Sequence, residues 1–210
     1  TAVGIGEATV SAYVGGRTAY CSVKSAGFAI GADGGAVYNY DGLINTDFNG
    51  LVEYNKAWFF VTKGKLDSDK TGFVEYDGSL FYVAKGQVLS GANGLQMDPK
   101  TKEWYYVAAG QVVDYTGLVL YDGAWFYVTK GKMDTKMAGF VKYDGELFLV
   151  AAGQYKNDVQ GLQQDPVTKK WYYLGNGMVQ SQYTGLAQYD GEWFYIVKGA
   201  LAEDYTGTVK

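Results

Sequence analysis

Hydrophobic and polar residues follow one another along this chain in a short pattern that repeats. Each repeat opens with a glycine and a leucine or phenylalanine, passes through a polar turn, and then carries three large apolar residues. A second glycine stands six residues after the first of the three. Aromatic and β-branched runs around Asp-Gly, as in VEYDGSLFYV from Val74, are the strongest local indication of a β-hairpin with a two-residue type I′ turn. The pattern therefore predicts one hairpin and one short connector per repeat.

Repeats open at seven clear glycines, with a weaker opening at Gly27 and a broken one at Gly207. The clear openings, 22 to 24 residues apart, are Gly50, Gly72, Gly94, Gly117, Gly139, Gly161 and Gly185. Three repeats recur as a block, so residues 50–116 are followed by the similar residues 117–184. A screw with about three hairpins per turn explains this longer period, because every third hairpin then meets the same surroundings. Duplication of a three-repeat block would also produce it.

The Asp-Gly turns fix the strand register that the sequence predicts. With Asp77-Gly78 as the turn, Val74 lies opposite Phe81, and the side chains alternate between two faces. Both faces are apolar, and an isolated two-stranded hairpin is marginal in water, so the hairpins must stack. We predict an all-β solenoid, an array of about eight hairpins over residues 27–210. Residues 1–26 are either a degenerate N-terminal capping hairpin or the end of an upstream domain.

Composition and charge exclude several classes of function. The net charge of -4, with Arg17 as the one arginine, argues against nucleic-acid binding, which rests on phosphate neutralisation. The chain has no run of 18 apolar residues, so the sequence predicts no transmembrane segment. The chain has no histidine, which removes the usual general base and the commonest metal ligand. The aspartates that precede glycine are typical turn residues. We therefore predict no enzymatic activity, no catalytic residue, no cofactor and no metal site.

The single cysteine says little about the compartment. Cys21 has no intrachain partner for a disulfide. We expect it to be a small buried apolar residue rather than a reactive thiol.

Candidate ligand-binding residues are the aromatic side chains that recur at equivalent positions of the repeats. Indole faces attract cations and the apolar faces of sugars, but large aromatic residues also dominate the cores of small repeats, and both roles stay open here. The tyrosines beside the turns are expected to be partly exposed. The candidates are Trp58, Phe60, Trp104, Tyr106, Trp125, Tyr127, Trp171, Tyr173, Trp193, Tyr195, Tyr54, Tyr76, Tyr121, Tyr143 and Tyr189.

Two stretches, TGLVLYDGAWFYVTKGKM from Thr116 and QGLQQDPVTKKWYYLGNGMV from Gln160, resemble a known family. They are similar to the cell-wall or choline-binding repeats of Gram-positive surface proteins, which have relatives in glucan-binding proteins and clostridial toxin tails. The resemblance covers residues 27–210. It implies a secreted β-hairpin solenoid with a left-handed screw and about three hairpins per turn.

The same resemblance implies a type of binding site. In choline-binding members, aromatic residues of neighbouring hairpins surround a quaternary ammonium, and they usually include a tryptophan directly after the opening glycine. This chain differs there, so one wall of such a site is changed. The residues at that position are Leu51, Phe73, Leu95, Leu118, Phe140, Leu162 and Leu186.

Two functions of different classes are consistent with the sequence. The first is a non-catalytic extracellular module that binds a cell-envelope or other carbohydrate polymer through aromatic grooves. Such a module would anchor a longer secreted or surface protein through many weak sites. The second is an adhesin-type module that binds a host protein, for example an immunoglobulin. The recurrence of the aromatic positions favours the first, because a unique protein epitope needs no recurrence. A start at Thr1 without a leader indicates a piece of a longer protein.

Overall fold

A computed structural model of the chain describes residues 6–25, 27–30, 35–40 and 43–204. All regular structure in these residues is β-strand or turn, arranged as antiparallel hairpins, which confirms the predicted all-β hairpin fold. None of them belongs to a helix that is long and apolar enough to cross a membrane. The structure divides into two compact units, Thr1–Lys102 with Val107–Val112 and Glu103–Tyr106 with Val113–Lys210.

The first hairpin is a two-stranded sheet of its own. Strand β1 (Gly6–Val14) pairs antiparallel with β2 (Arg17–Ser25) around Gly15 and Gly16, which both have positive φ angles. Within the described residues, neither strand pairs with a third one. Cys21 lies exposed on this ribbon, so the expectation of a buried cysteine is wrong. A ribbon without a second layer has nothing against which to bury it. The roles foreseen for residues 1–26 stay predictions.

The other described strands come in sets of three, in which two longer strands are followed by a strand of two residues. The first unit contains β3 (Gly27–Ile30), β4 (Ala36–Tyr40), β5 (Leu43–Ile44), β6 (Gly50–Tyr54), β7 (Ala57–Thr62), β8 (Lys65–Leu66), β9 (Gly72–Tyr76), β10 (Ser79–Ala84), β11 (Gln87–Val88), β12 (Gly94–Met97) and β14 (Gln111–Val112). Strand β13 (Trp104–Ala108) has residues in both units.

The second unit continues the same order of strands. It contains β15 (Gly117–Tyr121), β16 (Ala124–Thr129), β17 (Lys132–Met133), β18 (Gly139–Tyr143), β19 (Glu146–Ala151), β20 (Gln154–Tyr155), β21 (Gly161–Gln164), β22 (Trp171–Gly175), β23 (Met178–Val179), β24 (Gly185–Tyr189), β25 (Glu192–Val197) and β26 (Ala200–Leu201). Every opening glycine from Gly50 to Gly185 begins a strand, as the repeat pattern predicts.

The hairpin turns and the strand register agree with the sequence prediction. Asp77 has a φ of 48° and Gly78 a φ of 71°, and positive φ at both central residues defines a type I′ turn. Val74 lies opposite Phe81. In the hairpin with the longer turn over residues 166–169, Leu162 lies opposite Tyr173. Because two extra loop residues keep the alternation in phase, the two faces are the same as in the shorter hairpins.

A second left-handed turn, which the sequence did not predict, leads into each two-residue strand from β8 to β26. In one example, Ala152 has a φ of 51° and Gly153 a φ of 74°. The two-residue strand β20, next along the chain, pairs with the second strand of the preceding set, where Phe126 lies opposite Gln154. Consecutive hairpins are therefore joined by strand pairing as well as by side-chain packing.

The second glycine of each repeat closes this junction with two backbone hydrogen bonds. The N–H of Gly153 donates to the carbonyl of Met137 at 2.9 Å, and its own carbonyl accepts from the N–H of Tyr127 at 2.8 Å. A Cβ on Gly153 would lie 2.3 Å from the carbonyl oxygen of Asp134. Only glycine fits there, because the backbone of the preceding connector occupies the space of a side chain.

Leu95, which follows an opening glycine, is 1% exposed, and the other most deeply buried side chains come directly after the three apolar residues of a repeat. They are aliphatic and at most 1% exposed: Val61, Val83, Val107, Val128, Val150, Leu174 and Ile196. Each of these hairpins therefore has a core residue at the same place in the repeat. The left-handed screw and the number of hairpins per turn stay predictions.

Candidate functional site

Four pairs of aromatic rings form equivalent corners between consecutive hairpins. Each indole–phenol corner combines the tryptophan that opens the apolar triplet of one hairpin with the tyrosine before the turn of the next. The ring centroids lie 4.8–5.3 Å apart, and the ring planes meet at 56–67°. The four corners are Trp58–Tyr76, Trp104–Tyr121, Trp125–Tyr143 and Trp171–Tyr189.

Strand alternation explains why the two rings meet. Leu118 and Trp125 share one face of their hairpin, whereas Tyr143 and Phe148 lie on the opposite face of the next hairpin. When the hairpins stack, these two faces close on each other and bury Leu118 to 3% exposure. The leucine after the opening glycine is thus the floor of the corner, in the place where the resemblance implied a tryptophan wall.

The corner at Trp171 encloses a cavity of about 150 Å³. Its lining consists of Trp171, Tyr189, Phe194, Leu162 and Leu201, none of which is charged. The ring of Phe194 lies 6.5 Å from that of Tyr189, so three aromatic rings face the same space. Tyr189 remains 42% exposed, which leaves the cavity open to solvent on the phenol side. Such a site suits a small cation whose surface is apolar, because the lining is apolar and the ring faces carry negative partial charge.

Other hairpin interfaces are filled by a ring of the chain itself. Where phenylalanine stands after the opening glycine, the first triplet residue is smaller than tryptophan. The ring of Phe140 packs 4.9 Å from that of Tyr172, and Leu147 replaces the tryptophan. The same exchange recurs with Phe73 and Leu80. These closed interfaces have no indole–phenol corner.

An aspartate replaces the corner tyrosine in the hairpins with the longer turn. Asp165 is 5% exposed and accepts hydrogen bonds from the hydroxyl of Thr168 at 2.6 Å and the N–H of Val167 at 3.0 Å. Burial alone would raise the pKa of Asp165. The hydrogen bonds from Thr168 and Val167 and the nearby Lys169 outweigh burial and hold the pKa below its ordinary value of 3.8.

Asp98 has the same place in the other long turn. It accepts the N–H groups of Lys100 at 2.7 Å and Thr101 at 3.1 Å, and the N–H of Phe73 from the preceding hairpin at 3.3 Å. Burial raises the pKa of Asp98, but these backbone donors and Lys70 outweigh it and lower the pKa. Both aspartates thus act as turn residues; Asp98 also joins two hairpins.

The remaining predicted site residues lie outside the corners. Tyr54 packs on Phe28 at 5.6 Å, and Trp193 is 63% exposed and belongs to none of the indole–phenol pairs of the described residues. Four of the third triplet residues pack against connector residues instead. Lys70 lies over the ring of Phe60, Tyr106 and Tyr115 pack at 5.3 Å, Tyr127 lies in one cluster with Met137, and Tyr173 stacks on Tyr183 at 4.4 Å. Tyr195, the fifth, is partly buried. Tyr76, Tyr121 and Tyr189 are 38–42% exposed, as expected for the turn tyrosines.

Sequence reasoning missed the leucine floors and the second triplet residues. Phe81, Phe148 and Phe194 lie 6.1–6.5 Å from the corner tyrosines of their own hairpins. The sequence did contain a clue. Where leucine follows the opening glycine, tryptophan is the first residue of the apolar triplet, and where phenylalanine follows the glycine, leucine is the first. The larger side chain moves from one position to the other in that exchange, which indicates that the two side chains share one space.

A metal site finds no support in the described part of the chain, which has no group of three or more His, Cys, Asp or Glu side chains close enough to hold an ion.

A family model of the choline-binding repeat matches residues 47–67, 69–89, 114–134 and 182–201. Each of these four segments is similar to the choline-binding repeat. Tyrosines of three of the corners, Tyr76, Tyr121 and Tyr189, fall inside these matches. No curated protein matches the chain in sequence.

Solved structures that are similar to this chain include the following three. Choline binding protein F from Streptococcus pneumoniae is 20% identical over 94% of this chain and 80% of its own, with a TM-score of 0.31. Alternansucrase in complex with isomaltotriose is 20% identical over 72% of this chain and 12% of its own, with a TM-score of 0.34. The Cpl-1 endolysin complexed with a peptidoglycan analogue is 23% identical over 77% and 39%, with a TM-score of 0.29. The chain thus spans less than half the length of the last two.

Proposed function

We propose that this repeat array binds a choline-bearing cell-wall polymer, with one quaternary ammonium group in each indole–phenol corner. The observation that carries the proposal is the recurrence of the corner. Four times, a half-buried indole meets a phenol at nearly the same distance and angle. Core packing alone does not require the same two residue types at each of these interfaces, because Phe140 and Leu147 fill an equivalent one.

The chemistry of the corner fits a trimethylammonium group. Its methyl groups are apolar and match the Leu162 floor, while its charge is attracted to the faces of Trp171, Tyr189 and Phe194. A cation over aromatic faces gains about 0.5–2 kcal/mol per site. One corner therefore binds weakly, and firm attachment comes from several corners that hold one polymer.

This mode of binding suits a non-catalytic module on the cell surface or in a secreted protein, where it anchors a longer polypeptide to the envelope. Binding of a neutral carbohydrate polymer at the same corners is the competing outcome. Binding of a host protein stays a prediction, and none of the contacts described above favours it.

Calorimetric titration with choline chloride tests the proposal. We expect saturable binding with up to four equivalents per chain. Trp171→Ala should lower the stoichiometry by one, because it removes one wall of a corner. Trp193→Ala is the matched control, since it removes a tryptophan from the same repeat position without touching any of the four corners.

Circular dichroism of each variant shows whether the array remains folded. The proposal is wrong if the folded wild-type chain does not bind choline. It is also wrong if Trp171→Ala and Trp193→Ala change binding equally. Binding of glucose oligomers but not choline, lost in Trp171→Ala, would assign the corners to sugars instead.

A further inference from the structure

A second groove lies beside the corner at Trp171 and shares no lining residue with it. It has a volume of about 480 Å³, within the range of small-ligand sites, which run from roughly 300 to 1,000 Å³. Its wall includes the stacked rings of Tyr173 and Tyr183, at 4.4 Å and 28°. Three glutamines, Gln160, Gln180 and Gln182, supply amide groups. No lining residue is charged.

The amide of Gln180 is held in a fixed orientation. Its Nε2 donates to the carbonyls of Met178 at 3.1 Å and Gly175 at 3.3 Å. Both N–H groups are thereby engaged, and the side-chain oxygen is left as an acceptor. A Cβ on Gly175 would lie 2.9 Å from Nε2, so the absence of a side chain at Gly175 makes room for the amide.

The other copy of this block lacks the same pair of residues. In the sequence WYYVAAGQVV, Ala108 stands where Gly175 does and Val113 where Gln180 does, 67 residues earlier. The two positions have changed together, as the close approach of Gln180 to Gly175 requires. Stable packing of this connector therefore does not need an amide, and the Gly175–Gln180 pair is a feature of the second copy alone.

Uncharged amides beside aromatic rings match the chemistry of a neutral sugar. Amides can donate to and accept from hydroxyl groups, and the C–H face of a pyranose ring packs on a phenol ring. The site lacks an acidic side chain for a cation and a basic one for an anion. We propose that this amide groove binds a neutral saccharide unit, and that it does so independently of the quaternary ammonium sites.

Saturation-transfer NMR and calorimetry with neutral trisaccharides, isomaltotriose and cellotriose, test this inference on the full chain. The double variant Gly175→Ala with Gln180→Val copies the pair found at residues 108 and 113, and we therefore expect it to fold. Wild-type chain should bind at least one of the two sugars. The double variant should bind it roughly tenfold more weakly, which corresponds to about 1.4 kcal/mol.

Two comparisons separate this site from the corners. Choline titration of the double variant should match that of the wild type, and Trp171→Ala should keep its sugar binding. The inference is overturned if neither sugar binds the wild-type chain, or if the folded double variant binds as tightly as wild type. Loss of sugar binding in Trp171→Ala with retention in the double variant would place the sugar in the corner.

Discussion

At the scale of single residues, the second glycine of each repeat determines how one hairpin meets the next. Gly153 combines a left-handed conformation, two hydrogen bonds across the junction and a backbone contact that excludes a Cβ. The turn glycine Gly145 has a φ of 86° but open space around it. A side chain at either position would strain the left-handed backbone, but only at Gly153 would it also clash with neighbouring backbone atoms.

Gly153→Ala and Gly145→Ala should therefore differ in stability. Alanine in the left-handed region costs about 1–2 kcal/mol, and we expect this cost for Gly145→Ala. Gly153→Ala adds a clash with the backbone at Asp134, and we expect a total loss of roughly 3 kcal/mol or more. Urea unfolding followed by circular dichroism measures both. Equal losses would show that the junction yields to the added methyl group.

At the scale of the hairpin, the array contains open and closed versions of one interface. An open interface has leucine after the glycine and tryptophan in the triplet, as with Leu118 and Trp125. A closed interface has Phe140 and Leu147 instead. The larger side chain changes position between the two versions, and the closed pair is smaller by the difference between an indole and a phenyl ring.

The double change Leu118→Phe with Trp125→Leu tests this interchange. It should remove one choline equivalent and lower the free energy of unfolding by about 0.5–3 kcal/mol, because the net loss of side-chain volume is only the difference between an indole and a phenyl ring. Trp125→Ala alone should remove the same equivalent but destabilise more, since it leaves a void. Calorimetry gives the stoichiometry, and urea unfolding gives the stability. A double variant that still binds four equivalents would show that the corner at Trp125 is not a site.

The long turn makes one stability term depend on pH. The lowered pKa of Asp165 means that its charged form stabilises the fold above the ordinary value of 3.8, and this contribution disappears as pH falls through the lowered pKa. Asp165→Asn should lose about 1–3 kcal/mol at pH 7 and progressively less below pH 3.8. Urea midpoints across pH 2–7 provide the measurement. Asp144→Asn is the control, because asparagine also accepts the left-handed turn conformation, and it should change little.

Turn type and register could be predicted because they depend on neighbouring residues, as Asp77-Gly78 shows. The corners could not, because they depend on which faces of two hairpins meet. The left-handed turn before the two-residue strand determines which faces meet. Its left-handed residue is alanine at 109 and 152, a residue type that rarely has positive φ, so the turn could not be recognised from composition. The eight corner aromatics were predicted as candidates, but their partners were not.

At the scale of the whole chain, the contact made at the start of the three-repeat block recurs directly after its end. The hydroxyl of Thr116 accepts the N–H of Lys130 at 3.0 Å, and that of Thr184 accepts the N–H of Lys198 at 3.1 Å. The hairpin that begins at Gly117 and the one that begins at Gly185 are thus held by matching contacts to the residue before each. Nearest-neighbour packing of this kind makes stability roughly additive along a repeat array.

Removal of residues 117–184 should leave a folded, shorter array. Thr116 joined to Gly185 restores a native boundary, and Trp104 then meets Tyr189 in place of Tyr121. Because Trp58–Tyr76 and this new pair remain, the choline stoichiometry should fall from four to two. Circular dichroism and calorimetry measure both quantities. A deletion that unfolds without cooperativity would show that the block is not a structural unit.

Each corner takes one wall from each of two consecutive hairpins, and this has a thermodynamic consequence under the proposed function. A ligand that needs both walls binds only where the two hairpins are docked, so occupancy raises the free energy needed to separate them. The gain is about 2.7 kcal/mol per corner when the ligand concentration is one hundred times the dissociation constant. A cell-wall polymer bound at several corners then links consecutive hairpins. The array resists separation of its hairpins most strongly while the polymer is bound.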